Sequence, residues 1–149
     1  MGALGDLIPK NTRIKLAENI LFLGSVVSIY DEDAKKIKRH IIVGFDNGKI
    51  ATATVRINSK KNPNFYRNYN EQKLCYFIKS KGNKFLEWDS TVDCSDLIEW
   101  PTENLKEILL EESSTFMGQV EDRELDTIRS VIADADTIPP KKKKKYKLK

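Results

Sequence analysis

Residues 35–62 read KKIKRHIIVGFDNGKIATATVRINSKKN, two apolar runs framed by cations and parted by Asp46-Asn47-Gly48. Lys38, Arg39 and His40 stand together at the start of the first run, while Arg56, Asn58, Lys60 and Lys61 close the second. Cations at this density either grip an anionic partner or merely keep the hairpin soluble. His40 is the chain's only histidine. Its ordinary pKa near neutrality makes it a candidate acid or base, although a lone histidine opening a strand is more often structural. Just beyond, Phe65, Tyr66 and Tyr69 interleave with Lys60, Lys61 and Arg67. That composition suits bases stacked beside a charged groove, and equally a loop that packs its rings onto the domain.

Other chemistries find less support. Asp89, Asp93 and Asp96 offer carboxylates, with Asp89 and Asp93 on one face of a strand, but no histidine or further ligand pattern accompanies them. Turn and solvation roles are favoured, and no metal and no cofactor is expected. Cys75 and Cys94 lack CxxC spacing and read as small buried apolar residues rather than a zinc site or a disulfide framework.

The elements that must position these residues follow from periodicity. Asn11 and Thr12 can cap a short helix over 11–21 with Ile14, Ala17, Ile20 and Leu21 at helical spacing. FLGSVVSIY (22–30) is β-branched and strand-like. The Asn-Gly pair between strands 39–46 and 49–57 predicts a type I′ hairpin turn. Alternation in the second strand places Ala51, Ala53, Val55 and Ile57 on the face expected to be buried, and Ile50, Thr52, Thr54 and Arg56 on the other. Residues 58–72 form a long Asn-rich loop, of a length that in a compact domain is functional or disordered. LCYFI (74–78) and FLEWDSTVD (85–93) predict two further strands, with Trp88 and Trp100 in a core or dimer interface. After Pro101, Thr102 caps a helix with Leu105, Ile108 and Leu109 on its apolar face, and a second helix over about 121–136 carries Leu125, Ile128, Ile132 and Ala135. Pro139 and Pro140 then end the structure. The fold class is mainly β with α: a small, strongly curved sheet or barrel with helices packed on it. The division expected is a helical extension over 1–21, a barrel domain over 22–138 and a lysine-rich tail over 139–149.

Charge is segregated along the 149 residues. Residues 33–67 hold nine basic and two acidic side chains, a net of +7, whereas 87–136 hold three basic and fifteen acidic, a net of −12. The closing PKKKKKYKLK contributes seven lysines. Such a tail can bind nucleic acid, dock on an acidic partner, or fold back on the chain's own acidic region. No apolar stretch approaches the roughly 20 residues a membrane span needs, and MGALGDLIPK lacks the order of a signal peptide, so a cytoplasmic location away from membranes is expected.

The order of pieces resembles the MazF/PemK (Kid-like) toxin family over about residues 22–135. Lys38-Arg39-His40-Ile41-Ile42-Val43 resembles its "RPVVVI" element, and Ile57-Asn58-Ser59 its "PLTS" position. Phe85-Leu86-Glu87-Trp88-Asp89-Ser90-Thr91-Val92 resembles "LPKDSVV", and Asp93-Cys94-Ser95-Asp96-Leu97 sits where "LLEQI" is common. Met117-Gly118-Gln119-Val120 with Glu124, Leu125 and Ile128 resembles the "IGKLSDEEL…I" segment. The resemblance implies an SH3-like barrel, usually homodimeric, that cleaves single-stranded RNA without a metal, by attack of a 2′-hydroxyl on the adjacent phosphate. By position it makes Arg39 the stabiliser of the developing phosphate charge and Ser59 the contact to the scissile phosphate, with His40 a further catalytic candidate. Lys38, Arg56, Asn58, Lys60, Lys61, Tyr66 and Arg67 would line the substrate, and an antitoxin or larger assembly, reached through the basic tail, is the expected protein partner. Three positions depart from the pattern. His40 replaces the proline after the arginine, Asn58 replaces a threonine, and Ile98 stands where many members carry a basic residue. These departures raise an alternative: a barrel without catalysis, serving as a nucleic-acid-binding or structural module in a nucleoprotein or phage particle.

Overall fold

The computed structural model describes residues 18–59, 73–111 and 116–148, together with Thr12 and Lys15. One antiparallel sheet contains β1 (Ser25–Asp31), β2 (Lys36–Phe45), β3 (Ala51–Ser59), β4 (Cys75–Ile78), β5 (Ser90–Pro101) and β6 (Phe116–Gln119), side by side in the order β4-β5-β3-β2-β1-β6. The sheet curls into a half-barrel, and the fold is mainly β with a few helices. Two irregularities drive the curl. Val43 is an extra residue on β2 between the pairs Ile42–Thr54 and Gly44–Ala53. On β5, the four residues Cys94–Leu97 stand against the single Val55 of β3. Extra residues on one strand bend it and sharpen its right-handed twist.

Both faces of the sheet are covered. Val26, Ile41, Val43, Val55, Ile57 and Val92 meet Leu125, Ile128 and Ile132 of α2 (Asp122–Asp134) in the larger core. Val27, Ile29 and Ile42 meet Leu105 and Leu109 of α1 (Thr102–Glu111) on the opposite side. This is why Thr52 and Thr54, on the face expected to be polar, are as buried as Ala53 and Val55. Each fully buried Val or Ile contributes roughly 1.5–3 kcal/mol. Helix α2 follows from apolar residues three and four apart and from Asp122 and Glu124 in its first turn, where acidic groups complement the helix dipole. Thr12, Lys15 and Glu18–Ile20 are helical, and Leu21 joins the smaller core; Ile14 and Ala17 of the predicted stripe lie outside the described residues.

Several expectations are corrected. The β2–β3 connection is a five-residue loop instead of a two-residue type I′ turn. Asp46 accepts hydrogen bonds from the backbone of Ile50 (2.7 Å) and Ala51 (2.9 Å), and so closes a wider turn in which Gly48 and Lys49 have φ of 81° and 55°. The strand predicted over 85–93 begins at Ser90; Phe85 and Leu86 are buried in a turn segment, and Trp88 is 47% exposed rather than core. Phe116–Gln119, for which the periodicity predicts no element, form an edge strand ahead of the last predicted helix.

Nor do the prolines end the structure. Pro140 starts α3 (Pro140–Lys145), and Tyr146 and Leu148 enter the larger core. Glu99 anchors this segment through the Tyr146 hydroxyl (2.7 Å), Lys145 (3.2 Å) and Lys142 (3.5 Å). Burial raises the Glu99 carboxyl, but hydrogen bonds from Tyr146 and Lys145 outweigh it and hold the group below the usual range. Of the three roles open to the lysines, folding back on the acidic region is the one the structure displays. No helix among the described residues is long and apolar enough to cross a membrane.

Candidate functional site

Cross-strand register sorts the basic hairpin into two faces. Arg39 lies opposite Ser28 and Ile57, while His40 lies opposite Val27 and Arg56. Residues directly opposite one another share a face, and neighbours along a strand alternate. Arg39 therefore shares the face of Ile37, Ile41 and Ile57, whereas Lys38, His40, Arg56 and Asn58 occupy the reverse. Ser59 is two residues beyond Ile57, opposite Ser90. The Ser59 side chain and the whole of Lys60, Lys61, Phe65, Tyr66, Arg67 and Tyr69 lie outside the described residues.

The reverse face is a closed polar network. Asp31, 2% exposed, is its hub. Its Oδ1 accepts from the backbone N–H of Asp33 and Ala34, both at 3.1 Å, and from Arg56 Nη2 at 3.1 Å; its Oδ2 accepts from Arg56 Nε. Arg56 also reaches Asp33 at 3.0 Å. A planar guanidinium fork fits a carboxylate in this bidentate way. Burial raises the Asp31 carboxyl, but the Arg56 hydrogen bond, the Ala34 N–H and nearby positive charge more than offset that and hold it at about 2. Arg56 is correspondingly raised by its hydrogen bond to Asp31.

His40 has no solvent exposure. Thr54 Oγ1 accepts the Trp100 indole N–H at 3.0 Å and lies 2.8 Å from His40 Nδ1 and 3.5 Å from the Ile98 carbonyl. The Asp31 carboxylate opposite Nε2 favours the tautomer with the ring proton on Nε2, in which Thr54 donates to Nδ1. Nε2 faces Asp31 Oδ2 at 3.2 Å, close enough for electrostatic attraction but off the line of a proper hydrogen bond. The Trp100 ring meets the imidazole edge-on at 5.8 Å. Burial drives the His40 pKa down to about 4 against the attraction of Asp31, so the ring is neutral at neutral pH. It can orient its neighbours but cannot touch a substrate.

Lys38 is bonded through Nζ to Asn58 Oδ1, and burial lowers its pKa. Arg39 differs from these engaged cations. It is half-buried and forms no ion pair among the described residues. Beside it, Tyr30 (51% exposed) and Ile37 (67% exposed) are cross-strand partners on the same face. Two of the three carboxylates considered as metal ligands accept local backbone hydrogen bonds, Asp89 from Ser80 N at 2.9 Å and Asp93 from Ser95 N at 2.9 Å. Cys75 and Cys94 are buried and form no disulfide among the described residues, and burial raises both thiols.

Sequence reasoning missed Asp31, Thr54 and Trp100 as a network, because their pairing with His40, Arg56 and one another spans 9 to 46 residues. Tyr30 and Ile37 were legible only once the β1–β2 register was known. No protein-family model matches the chain, and no curated protein matches it.

Proposed function

We propose that this chain is a non-catalytic half-barrel module that holds single-stranded RNA against the open end of the β1–β2 hairpin. The observation that carries the reading is the exposed pair Tyr30–Ile37 with Arg39, which has no ion pair among the described residues, next along the same face. A flat aromatic beside a free guanidinium is what base stacking with phosphate contact requires. Lys35 and Lys36 at the same end add exposed positive charge. Catalysis is disfavoured because His40 is enclosed, Arg56 is clasped by two carboxylates and Lys38 is bonded to Asn58. The module would work in the cytoplasm as part of a nucleoprotein assembly.

A second reading keeps the chemistry: a homodimeric, metal-independent endoribonuclease resembling the MazF/PemK toxins, restrained by an antitoxin. It is favoured by Arg39 and Ser59 lying near one another in register, Arg39 opposite Ile57 and Ser59 two residues on. One experiment separates the readings. End-labelled single-stranded RNA is incubated with the protein and with Arg39→Ala in EDTA, and both retention and cleavage are followed. Binding without cleavage, weakened several-fold by Arg39→Ala, is expected. Cleavage that the variant abolishes would transfer the conclusion to the ribonuclease. Absence of binding at low salt would remove both.

A further inference from the structure

The opposite end of β2 carries a second feature, independent of the RNA reading. A groove of about 490 Å³ opens between the β2–β3 loop and the segment after α3. Its size is that of a small-molecule site. Lys49, Arg129 and Lys147 line it, against Asp46 as the one carboxylate. Asp46 Oδ1 is turned to its own loop, where it accepts from Ile50 and Ala51. None of the three cations forms an ion pair among the described residues. The groove therefore carries an excess of positive charge, three cations against Asp46.

Arg129 is fixed in place before any ligand arrives. It donates one N–H to the Val43 carbonyl and another, at 2.9 Å, to the Lys147 carbonyl, which leaves further guanidinium N–H groups uncommitted. The lysines are held in an unusual manner. Among the described residues three non-glycine residues have positive φ, and two of them, Lys49 (55°) and Lys147 (59°), are the two lysines of this groove. A left-handed backbone is disfavoured for side chains of this kind, and such conformations concentrate at ligand sites. Phe45 and Leu23 supply an apolar wall, with the Lys49 ammonium 5.1 Å from the Phe45 ring centre.

From the three unpaired cations, the preset guanidinium and the apolar wall, we infer that this groove binds the phosphate monoester of a nucleotide, the base lying against Phe45 and Leu23. Arginine and lysine together match a dianionic phosphate better than a single carboxylate, because three donors can share its oxygens. The phosphate could belong to a free nucleotide or to the 5′ end of a strand.

The test uses amide NMR spectra of the full chain at low salt. Adenosine 5′-monophosphate should shift the amides of Gly48, Lys49 and Lys147, and adenosine should not. The double variant Lys49→Gly/Lys147→Gly should lose affinity by about tenfold or more while melting no lower than the parent, since glycine accepts positive φ. Intact melting keeps a binding loss from being mistaken for unfolding. A 5′-phosphorylated oligonucleotide compared with its 5′-hydroxyl counterpart identifies the source: phosphate-dependent shifts at Lys49 and Lys147 indicate a strand end, and a response to the mononucleotide alone indicates a free nucleotide. Shifts confined to Tyr30 and Arg39 would support the RNA face and overturn this site. So would an equal response to adenosine, no response, or an unchanged affinity in the double variant.

Discussion

His40 illustrates how a residue with catalytic credentials can be held to a structural task. Its imidazole is neutral because burial disfavours the charge; Nδ1 is hydrogen-bonded to Thr54, and Nε2 faces Asp31 by electrostatic attraction alone. Burying a neutral histidine makes stability depend on pH. Above its unfolded pKa of 6.5 the contribution is complete; as pH falls the unfolded chain takes up the proton first, and stability declines until the folded value of about 4. The expected loss across that window is about 3 kcal/mol. A separate loss follows as pH falls from 3.8 towards 2, where the Asp31 carboxylate, stabilised by Arg56, is finally protonated. Urea denaturation between neutral pH and pH 4 should show the first decline in the parent and a nearly flat profile in His40→Gln. A parallel decline in both would assign the pH dependence to other groups. At this scale, the sequence placed Arg39, His40 and Arg56 in one site, because the opposite faces they occupy follow from the β2–β3 register, and Asp31 gave no local sign of its distant partners.

At the level of elements, Gly44 joins the bulge on β2 to the C-terminal segment. A Cβ added there would lie 2.8 Å from Tyr146 Cβ and 3.1 Å from the Tyr146 carbonyl oxygen. Gly44→Ala should therefore destabilise the protein by about 1–3 kcal/mol, the usual cost of overpacking. Thermal or chemical unfolding measures it, and a change below about 0.5 kcal/mol would mean that Tyr146 is not seated against β2. The same elements show what was legible. Period-two alternation found one buried face of β3 but not that α1 covers the other, where Thr52 and Thr54 are equally buried; the apolar stripes of α1 and α2 were legible because one period governs each helix throughout its length. The bulge at Cys94–Leu97 breaks alternation, so the second half of β5 was invisible. The Asn-Gly pair signalled a tight turn because local chemistry does not reveal that the Asp46 carboxylate will capture two N–H groups beyond it. Composition hid the last helix: five consecutive lysines mask the apolar Tyr146 and Leu148 that follow them.

For the whole molecule, segregated charge is partly consumed within the fold, since Lys142 and Lys145 meet Glu99 across the acidic region. Exposed and half-exposed ion pairs of this kind contribute little and weaken with salt. Tyr146 and Leu148 are buried and do not. Limited trypsin digestion at the Lys141–Lys145 run should therefore be slow at both low salt and about 1 M salt, where screening is nearly complete. Rapid cleavage at high salt alone would show that charge, and not apolar burial, holds the segment. The location of Tyr146 has a consequence in time as well as in space. It rests against Gly44, about a hundred positions earlier, and the larger core has a gap until the two meet. During synthesis, β1 to β3 can pair while this half of the core is still open, and the closing contact must wait for residues 146–148 to emerge. Contacts so distant along the chain slow folding. The interval between sheet formation and core closure is then the period in which the nascent protein is most exposed to aggregation or to capture by a chaperone.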